Sequence, residues 1–293
     1  MIYFCADDYG ISKESNSRIE DCLKNGVLNK VSVLPNGETN DFKNRLLEKN
    51  AKLSLHINLV EGLPLSDATL IVSDKGNFKY SFIGLFFLSI FGKRKQLRNE
   101  LYKEIKMQID FFRTNAGEET PLFLDSHQHT HMIPLVFKTL VKVIIDEGLN
   151  VENIRFPCEP ILPYILTPSL YFKYGVIGII KQWLLKFLGF INSKELKKLN
   201  IKPNVFMGII FSGCVTEEKI KKILPKYLKI ANKNGRDIEI ASHPGYVEKG
   251  EHLIKGCRAG FEKFYFSQWR KVEYETLLNL NKAKKEGNLN ALY

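Results

Sequence analysis

Apolar positions along the chain alternate between short unbroken runs and longer stretches with helical spacing. Ile2-Tyr3-Phe4-Cys5 is a run of strand length, and in Asn16 to Lys24 the residues Ile19, Cys22 and Leu23 share a helical face that stops at Asn25-Gly26. Val31 to Leu34 reads as a second strand, closed by Pro35-Asn36-Gly37, and Asp41 to Asn50 as a second helix. Leu53 to Leu59 alternates as a third strand and holds His56. The chain therefore opens in a β-α-β-α-β register.

Val60 to Tyr80 is loop-like, after which Leu97, Leu101, Ile105, Ile109 and Phe112 mark a long amphipathic helix. Strands are predicted at Phe123 to Asp125, Ile154 to Phe156, Asn204 to Ile210 and Ile238 to Ser242, with a helix over Pro134 to Glu147. Thr216 is placed to cap a helix running to Ala231, with Glu217 and Glu218 in its first turn, and Pro225 predicts a kink or a break. Roughly seven strands interleaved with helices are the signature of a largely parallel sheet wound by right-handed crossovers. The expected architecture is α/β, an open or incomplete (β/α) barrel in a single domain over 1–293.

One region breaks the alternation. Residues 160–198 read as a helical insertion, in which Ile177, Ile180, Leu184, Leu188 and Ile191 share a face. Such a face is expected to meet the core, a second copy in a homodimer, or a membrane surface as a peripheral contact, the last kept open by Trp183 and its lysines. Phe82 to Phe91 is also free of charge, yet neither segment reaches the ~18 to 20 uncharged residues of a membrane span.

Composition narrows the field. With 293 residues and 44% apolar content the chain can bury a sizeable core. The five cysteines are scattered without any CxxC, which argues against a disulfide framework or a thiolate zinc site and for a reducing compartment. The first strand and its acids begin too early for a signal peptide, so a cytoplasmic location is expected. The net charge of +11 reads chiefly as a solvated surface, and no zinc-finger, RNP-like or helix-turn-helix pattern points to nucleic acid.

The chemistry sits at strand ends. Asp7 and Asp8 follow the first strand, Asp125-Ser126-His127-Gln128-His129-Thr130-His131 follows Leu122-Phe123-Leu124, His56 closes the third strand and His243 the last. In an open parallel sheet or a barrel these ends face the same way, so residues remote in sequence converge. Adjacent carboxylates on an extended backbone point to opposite sides and can divide labour. An extended backbone would likewise point His127, His129 and His131 one way, beside Asp125. An Asp with two His makes an open site for a divalent ion, whose bound water becomes a nucleophile for amide or ester hydrolysis.

Ala6-Asp7-Asp8-Tyr9-Gly10, Leu55-His56-Ile57-Asn58-Leu59, Asp125 to His131 and Ser242-His243-Pro244-Gly245, taken in order, resemble the motif set of the YdjC-like carbohydrate deacetylases. Glu104-Ile105-x-x-Gln108-Ile109 and Arg155-Phe156-Pro157-x-Glu159 add to the likeness. The resemblance implies a variant (β/α) barrel, related to polysaccharide deacetylase-like barrels, that removes acetyl groups from N-acetylated sugars with one divalent ion, magnesium or zinc. It puts the metal ligands at Asp8, His56 and His127, the general base at Asp7 and the general acid at His243. Arg155 would orient Asp7 or bind substrate, and His129, His131 and Asp125 would support the ligands or touch the sugar. The chain departs from the family pattern at Tyr9, where Phe is common, and in the apolar, basic 160–198 region, which suits a lipid-linked sugar better than a soluble oligosaccharide. A metal-dependent phosphoesterase and a non-catalytic carbohydrate or membrane-surface binding protein are the alternative readings.

Overall fold

Seven strands, all parallel, make one sheet in the computed structural model of the chain, which describes residues 1–173, 175–258 and 260–285. The strands are β1 (Ile2–Tyr9), β2 (Lys30–Val33), β3 (Lys52–Ile57), β4 (Leu122–Ser126), β5 (Val151–Ile154), β6 (Val205–Met207) and β7 (Ile238–Ser242). Their spatial order is β5-β4-β3-β2-β1-β7-β6, and the sheet curls into a half-barrel left open between β5 and β6. This is the incomplete barrel the alternation predicts; the single-domain reading to 293 runs past the described residues at 286–293.

The helices are α1 (Lys13–Asn25), α2 (Phe42–Leu47), α3 (Phe82–Phe91), α4 (Arg94–Ala116), α5 (Pro134–Asp146), α6 (Leu162–Ile165), α7 (Val176–Lys197), α8 (Glu217–Asn234), α9 (Glu262–Tyr265) and α10 (Gln268–Lys285). Strand residues alternate between two environments. Ile2, Phe4 and Ala6 of β1 join Ile19 and Cys22 of α1 in the main apolar core outside the sheet. The intervening positions face a polar interior. There Lys30 Nζ lies 3.0 Å from Glu239 Oε2 and 4.9 Å from the Phe123 ring, and Tyr3 meets Phe123 with ring centroids 6.2 Å apart.

The open side is bridged by side chains. Arg155, just past β5, reaches across the interior to Glu239 on β7, with Nε 2.6 Å from Oε1. The buried Glu159 carboxylate accepts the amides of Gly208, Ile209 (2.9 Å) and Ile210 (3.1 Å) beyond β6. Those amides are turned away from the ladder, which is why β6 stops at Met207 instead of running to the expected Ile210.

Four further features depart from expectation. Phe82–Phe91 is a helix capped by Ser81, where the apolar run alone gave no period. Helix α8 runs unbroken through Pro225, giving up one intrahelical hydrogen bond at most a kink's cost. The C-terminal helix α10 was not anticipated. The apolar stripe of the insertion is not the buried face of α7: of Ile177, Ile180, Leu184, Leu188 and Ile191, only Leu188 is buried.

Helix α7 instead packs through Leu185, Leu188 and Leu196 interleaved with small and polar residues. A Cβ on Gly178 would lie 2.6 Å from the Ile210 carbonyl oxygen, and one on Gly189 would lie 2.3 Å from Cys158 Sγ. Gln182 Nε2 donates to the Glu159 carbonyl (2.6 Å) and Asn192 Nδ2 to that of Met132 (2.8 Å). Close approach and hydrogen bonds thus share the inner face with three leucines, of which only Leu188 belongs to the stripe that periodicity suggests.

Replacing Glu159 by Ala leaves three buried amides without their acceptor, at about 1–3 kcal/mol for each that water does not reach. A Glu159→Ala variant is expected to unfold roughly 5–10 °C lower in a thermal scan followed by circular dichroism. An unchanged midpoint would mean that the β5–β6 gap is held closed by something else.

Candidate active site

Between Ala6 and Tyr9 the register of β1 slips against β2, and Asp8 takes a left-handed backbone with φ 69°. The two aspartates thus lie on the bulged end of the strand itself, not in a loop after it. The bulge also changes where they point. An extended backbone would send them to opposite faces, whereas here both line one cleft at the barrel mouth. The next residue, Tyr9, faces away and donates its hydroxyl to Glu20 (2.8 Å), so the departure at this position does not touch the site.

Asp8 is the meeting point of imidazoles from two other strands. Its Oδ1 lies 2.8 Å from His127 Nδ1 and 3.4 Å from His56 Nε2, while Arg270 of α10 holds Oδ2. One donor atom from each of Asp8, His56 and His127 falls within 4.8 Å of the others, and all three residues are buried. His56 Nδ1 bonds Asp125 Oδ1, so its Nε2 is the nitrogen that turns toward Asp8. Asp125 is fixed in turn by the hydroxyls of Ser32 (2.7 Å) and Ser54 (2.8 Å) on its other oxygen. Tyr265 OH, 3.2 Å from His127 Nε2, orients that second ring.

These neighbours set the charge states. Burial alone would raise the Asp8 carboxyl, but His127 and Arg270 outweigh it and hold the group well below the usual carboxylate range. Burial alone would lower His56; Asp125, with help from Asp8 and Asp7, reverses this and lifts the imidazole to about 10.

Asp7 belongs to a different partner. Arg155 grips it bidentately, Nη1 to Oδ2 at 2.6 Å and Nη2 to Oδ1 at 2.8 Å. Burial opposes ionisation of Asp7, and the Arg155 and His56 charges overcome it, leaving the carboxyl below its ordinary value. Arg155 is fully buried, and of its two anticipated partners the structure shows it against Asp7. Cys5, Asp7 and Asp125 form a second close cluster, but it encloses the Arg155 guanidinium, with Nη2 3.2 Å from Cys5 Sγ, rather than a second cation. Asp7, Asp8, Asp125 and Glu239 face Lys30, Arg155, Arg270 and protonated His56, so these buried charges balance while His56 holds its proton, and a cation at the Asp8 site would take that proton's place.

The three alternating histidines do not point the same way. Residues 127–132 form a 3₁₀ turn in which Gln128 (φ 53°) and His129 (φ 57°) are left-handed, so the rings diverge. His127 turns to Asp8. His129 lines the cleft with its ring edge-on to Phe206 and Nδ1 without a hydrogen-bond partner, kept neutral by burial and by Arg155. His131 leaves the cleft altogether. It donates from Nε2 to the Arg155 carbonyl (2.8 Å) and accepts at Nδ1 from Ser126 (2.5 Å), which pins the Arg155 backbone.

His243 reaches the cleft from the end of β7, its ring edge-on to Phe264. Its amide donates to Glu273 Oε2 (2.6 Å), and the same oxygen lies 3.5 Å from Nδ1. Arg270 and Glu273, one turn apart on α10, thus serve Asp8 and His243 respectively, and neither was read from the sequence. They share the buried face of α10 with Leu277 and Leu280, and mixing charged with apolar side chains on one face hides the helical period.

The cleft encloses about 390 Å³, and its walls beyond the charged groups are mainly apolar, including Phe82, Ile83, Leu184, Leu185 and Phe261, with Ser81, Ser126, Gln128 and Ser212 among them. A larger groove of about 750 Å³ bounded by residues 66–69 and 93–103 holds no imidazole and gathers no comparable chemistry.

The His56–Asp125 pair carries a pH signature. A histidine whose value rises on folding from 6.5 to about 10 stabilises the fold fully below pH 6.5, and that contribution is lost as pH climbs toward 10. Chelator-treated protein is therefore expected to show a urea midpoint that falls across this window, with the slope much reduced in Asp125→Asn. Equal slopes in the two proteins would contradict the pairing.

Comparison with known proteins agrees with this geometry. The family described as YdjC-like protein matches residues 1–283. Curated relatives named carbohydrate deacetylase include one from Danio rerio, 25% identical over 92% of this chain and 89% of the relative, and one from Xenopus laevis, 26% identical with the same coverage. A carbohydrate deacetylase from Clostridium beijerinckii is 30% identical over 62% of this chain and 73% of its own length. Among solved structures, that of a candidate cellobiose-phosphate cleavage protein from Enterococcus faecalis superposes with a TM-score of 0.62 at 16% identity, covering 97% of this chain and 94% of that one, and supports the fold. With a family match across nearly its whole length and the family's motifs gathered at one barrel mouth, this chain belongs to the YdjC-like family.

Proposed function

We propose that this chain is a carbohydrate deacetylase that hydrolyses the N-acetyl group of an amino sugar, with one divalent ion held by Asp8, His56 and His127. The observation that carries the reading is the pairing, within one cleft, of an open three-donor cage with a carboxylate that a buried arginine keeps ionised. The donor set fits a cation on its own terms. Asp125 fixes His56 so that Nε2 faces Asp8, His127 offers Nδ1 with Tyr265 behind it, and a cation would take the place of the proton that His56 otherwise carries between Asp125 and Asp8. Two imidazole nitrogens and a carboxylate suit zinc, whereas magnesium would bind mainly through Asp8 and keep several waters. Bound there, the ion would supply Lewis acidity, lowering the pKa of water and drawing charge from an acyl oxygen.

The protein's own groups do the remaining work. Asp7, ionised through Arg155, takes the proton of the attacking water as its oxygen adds to the acyl carbon. His243, with Glu273 Oε2 3.5 Å from Nδ1, gives a proton to the sugar nitrogen as the C–N bond breaks and acetate leaves. His129 shapes the cleft as a neutral ring. The adjacent acids thus take different roles because different cations hold them. We read residues 160–198 as an insertion on a single catalytic domain, and the five free cysteines are in keeping with a cytoplasmic enzyme.

The test measures metal content and acetate together. Purified protein is expected to carry one divalent ion per chain and to release acetate from a panel of N-acetylated sugars. Asp7→Asn should keep the ion while kcat falls about 10²–10⁴-fold, and His56→Ala with His127→Ala should lose the ion. Full activity in Asp7→Asn would remove the base assignment; undiminished metal in the double variant would remove the cage.

A further inference from the structure

The cleft mouth is framed by two helices whose outer faces are apolar and uncovered. Phe82 and Phe86 of α3 pack against the apolar cluster that holds Leu185 and Leu188 of α7, and Ile83 and Leu184 from the same two helices line the cleft. Beyond that contact α3 exposes Phe87, Ile90 and Phe91, the last at 80%. Helix α7 exposes Ile177, Ile180, Trp183, Phe187 and Phe190, with Trp183 at 60% and Phe190 at 80%. Isolated exposed apolar residues need no explanation, but two helices that flank one cleft and each expose several large apolar side chains mark a contact surface.

Charge says what kind of surface. From Lys75 to Asn99 and from Pro160 to Lys194 the sequence holds no aspartate or glutamate. Lys93, Arg94 and Lys95 follow α3 directly, and Lys181, Lys186 and Lys194 lie on α7. Lys186 Nζ stands 5.8 Å from the Trp183 ring, a pairing suited to the level of lipid headgroups. Apolar side chains fringed only by cations complement an anionic bilayer. Helix α7, 22 residues from Val176 to Lys197, has the length and hydropathy of a crossing helix. Its inner face, however, is tied to the barrel by Gln182, Asn192 and the close approach at Gly178 and Gly189, which leaves only the outer face for lipid. That is the geometry of a helix lying in the interface.

We propose that the α3–α7 face docks on an anionic membrane and that the amino sugar entering the cleft is carried on a lipid; the second half rests on the deacetylase reading. Ile83, Leu184 and Leu185 give an apolar path from the docked face to Asp7 and Asp8, along which the lipid's first carbons would lie while the sugar meets the acids.

Vesicle flotation tests the docking and acetate release tests the substrate. The full chain is expected to float at least tenfold more with phosphatidylcholine–phosphatidylglycerol vesicles than with phosphatidylcholine alone, and to detach at high salt. A Phe91→Ser, Trp183→Ser, Phe187→Ser variant should lose flotation at least tenfold while its circular dichroism and its acetate release from a short soluble N-acetylated sugar stay within twofold. An N-acetylglucosaminyl lipid in the anionic vesicles should be deacetylated at least tenfold better than the soluble sugar by the parent and not by the variant. No flotation of the parent at low salt, or a dimer that the same substitutions dissolve without any vesicle binding, would overturn the docking. Flotation without preference for the lipid-borne sugar would overturn the substrate assignment alone. Acetate release from neither sugar, with flotation intact, would count against the deacetylase reading and leave the docking standing.

Discussion

Arg155 lends one guanidinium to three acids on three strands: Asp7 of β1 through two hydrogen bonds, Glu239 of β7 through Nε, and Asp125 of β4 at 3.3 Å. None of its side chain is exposed. A charge in that position is tolerated only because its partners are fixed around it, and removing one side of such an arrangement typically costs about 3–5 kcal/mol. Much of the site follows from this contact. Arg155 keeps Asp7 ionised, and it helps hold Asp125, which in turn decides which nitrogen of His56 faces Asp8. The residue sits just after β5 on the open side of the half-barrel, so the same contact that prepares the chemistry also ties the unpaired edge to the middle of the sheet.

The interior of this barrel is polar where an ordinary core would be filled with aliphatic residues. Lys30 and Glu239 form the floor, Arg155 and its acids the middle, and Asp8 with its imidazoles the mouth. The layering gives two neighbouring aspartates different characters. Asp7 is matched by a guanidinium in bidentate geometry; Asp8 is shared among two rings and Arg270. The left-handed backbone at Asp8, tolerable for aspartate at modest strain, is what brings both into one cleft.

Much of this was legible in the sequence. Strand runs and helical periods gave the parallel, incomplete barrel, because each β-α unit carries its own pattern of buried positions. The acids and histidines at strand ends could be placed together, since parallel strands deliver their ends to one rim. What escaped was decided by local backbone geometry or by distant partners. The bulge at Asp8 and the left-handed pair Gln128 and His129 have no hydrophobic signature, so an extended reading of either stretch aimed side chains wrongly. Arg270 and Glu273 lie on α10, where polar contacts to Asp8 and His243 occupy the positions at which a period would show apolar residues. Helix α7 misled in the opposite sense: most of its apolar stripe faces out because glycines and amides, with Leu185, Leu188 and Leu196 between them, make the inward contact.

The exposed face of α3 and α7 and the buried acids are connected through Glu159 and its neighbours. Gln182 of α7 holds the Glu159 carbonyl, the Glu159 carboxylate holds the turn after β6, and Arg155 lies four residues upstream. The central claim is that the bidentate grip of Arg155 holds Asp7 in its ionised form, and the pH dependence of kcat in Arg155→Lys tests it most directly. The account predicts a folded protein with its metal retained, lower kcat, and an acid limb moved upward by about one pH unit, because a lysine keeps the charge but not the paired hydrogen bonds. An acid limb and kcat indistinguishable from those of the parent would contradict it.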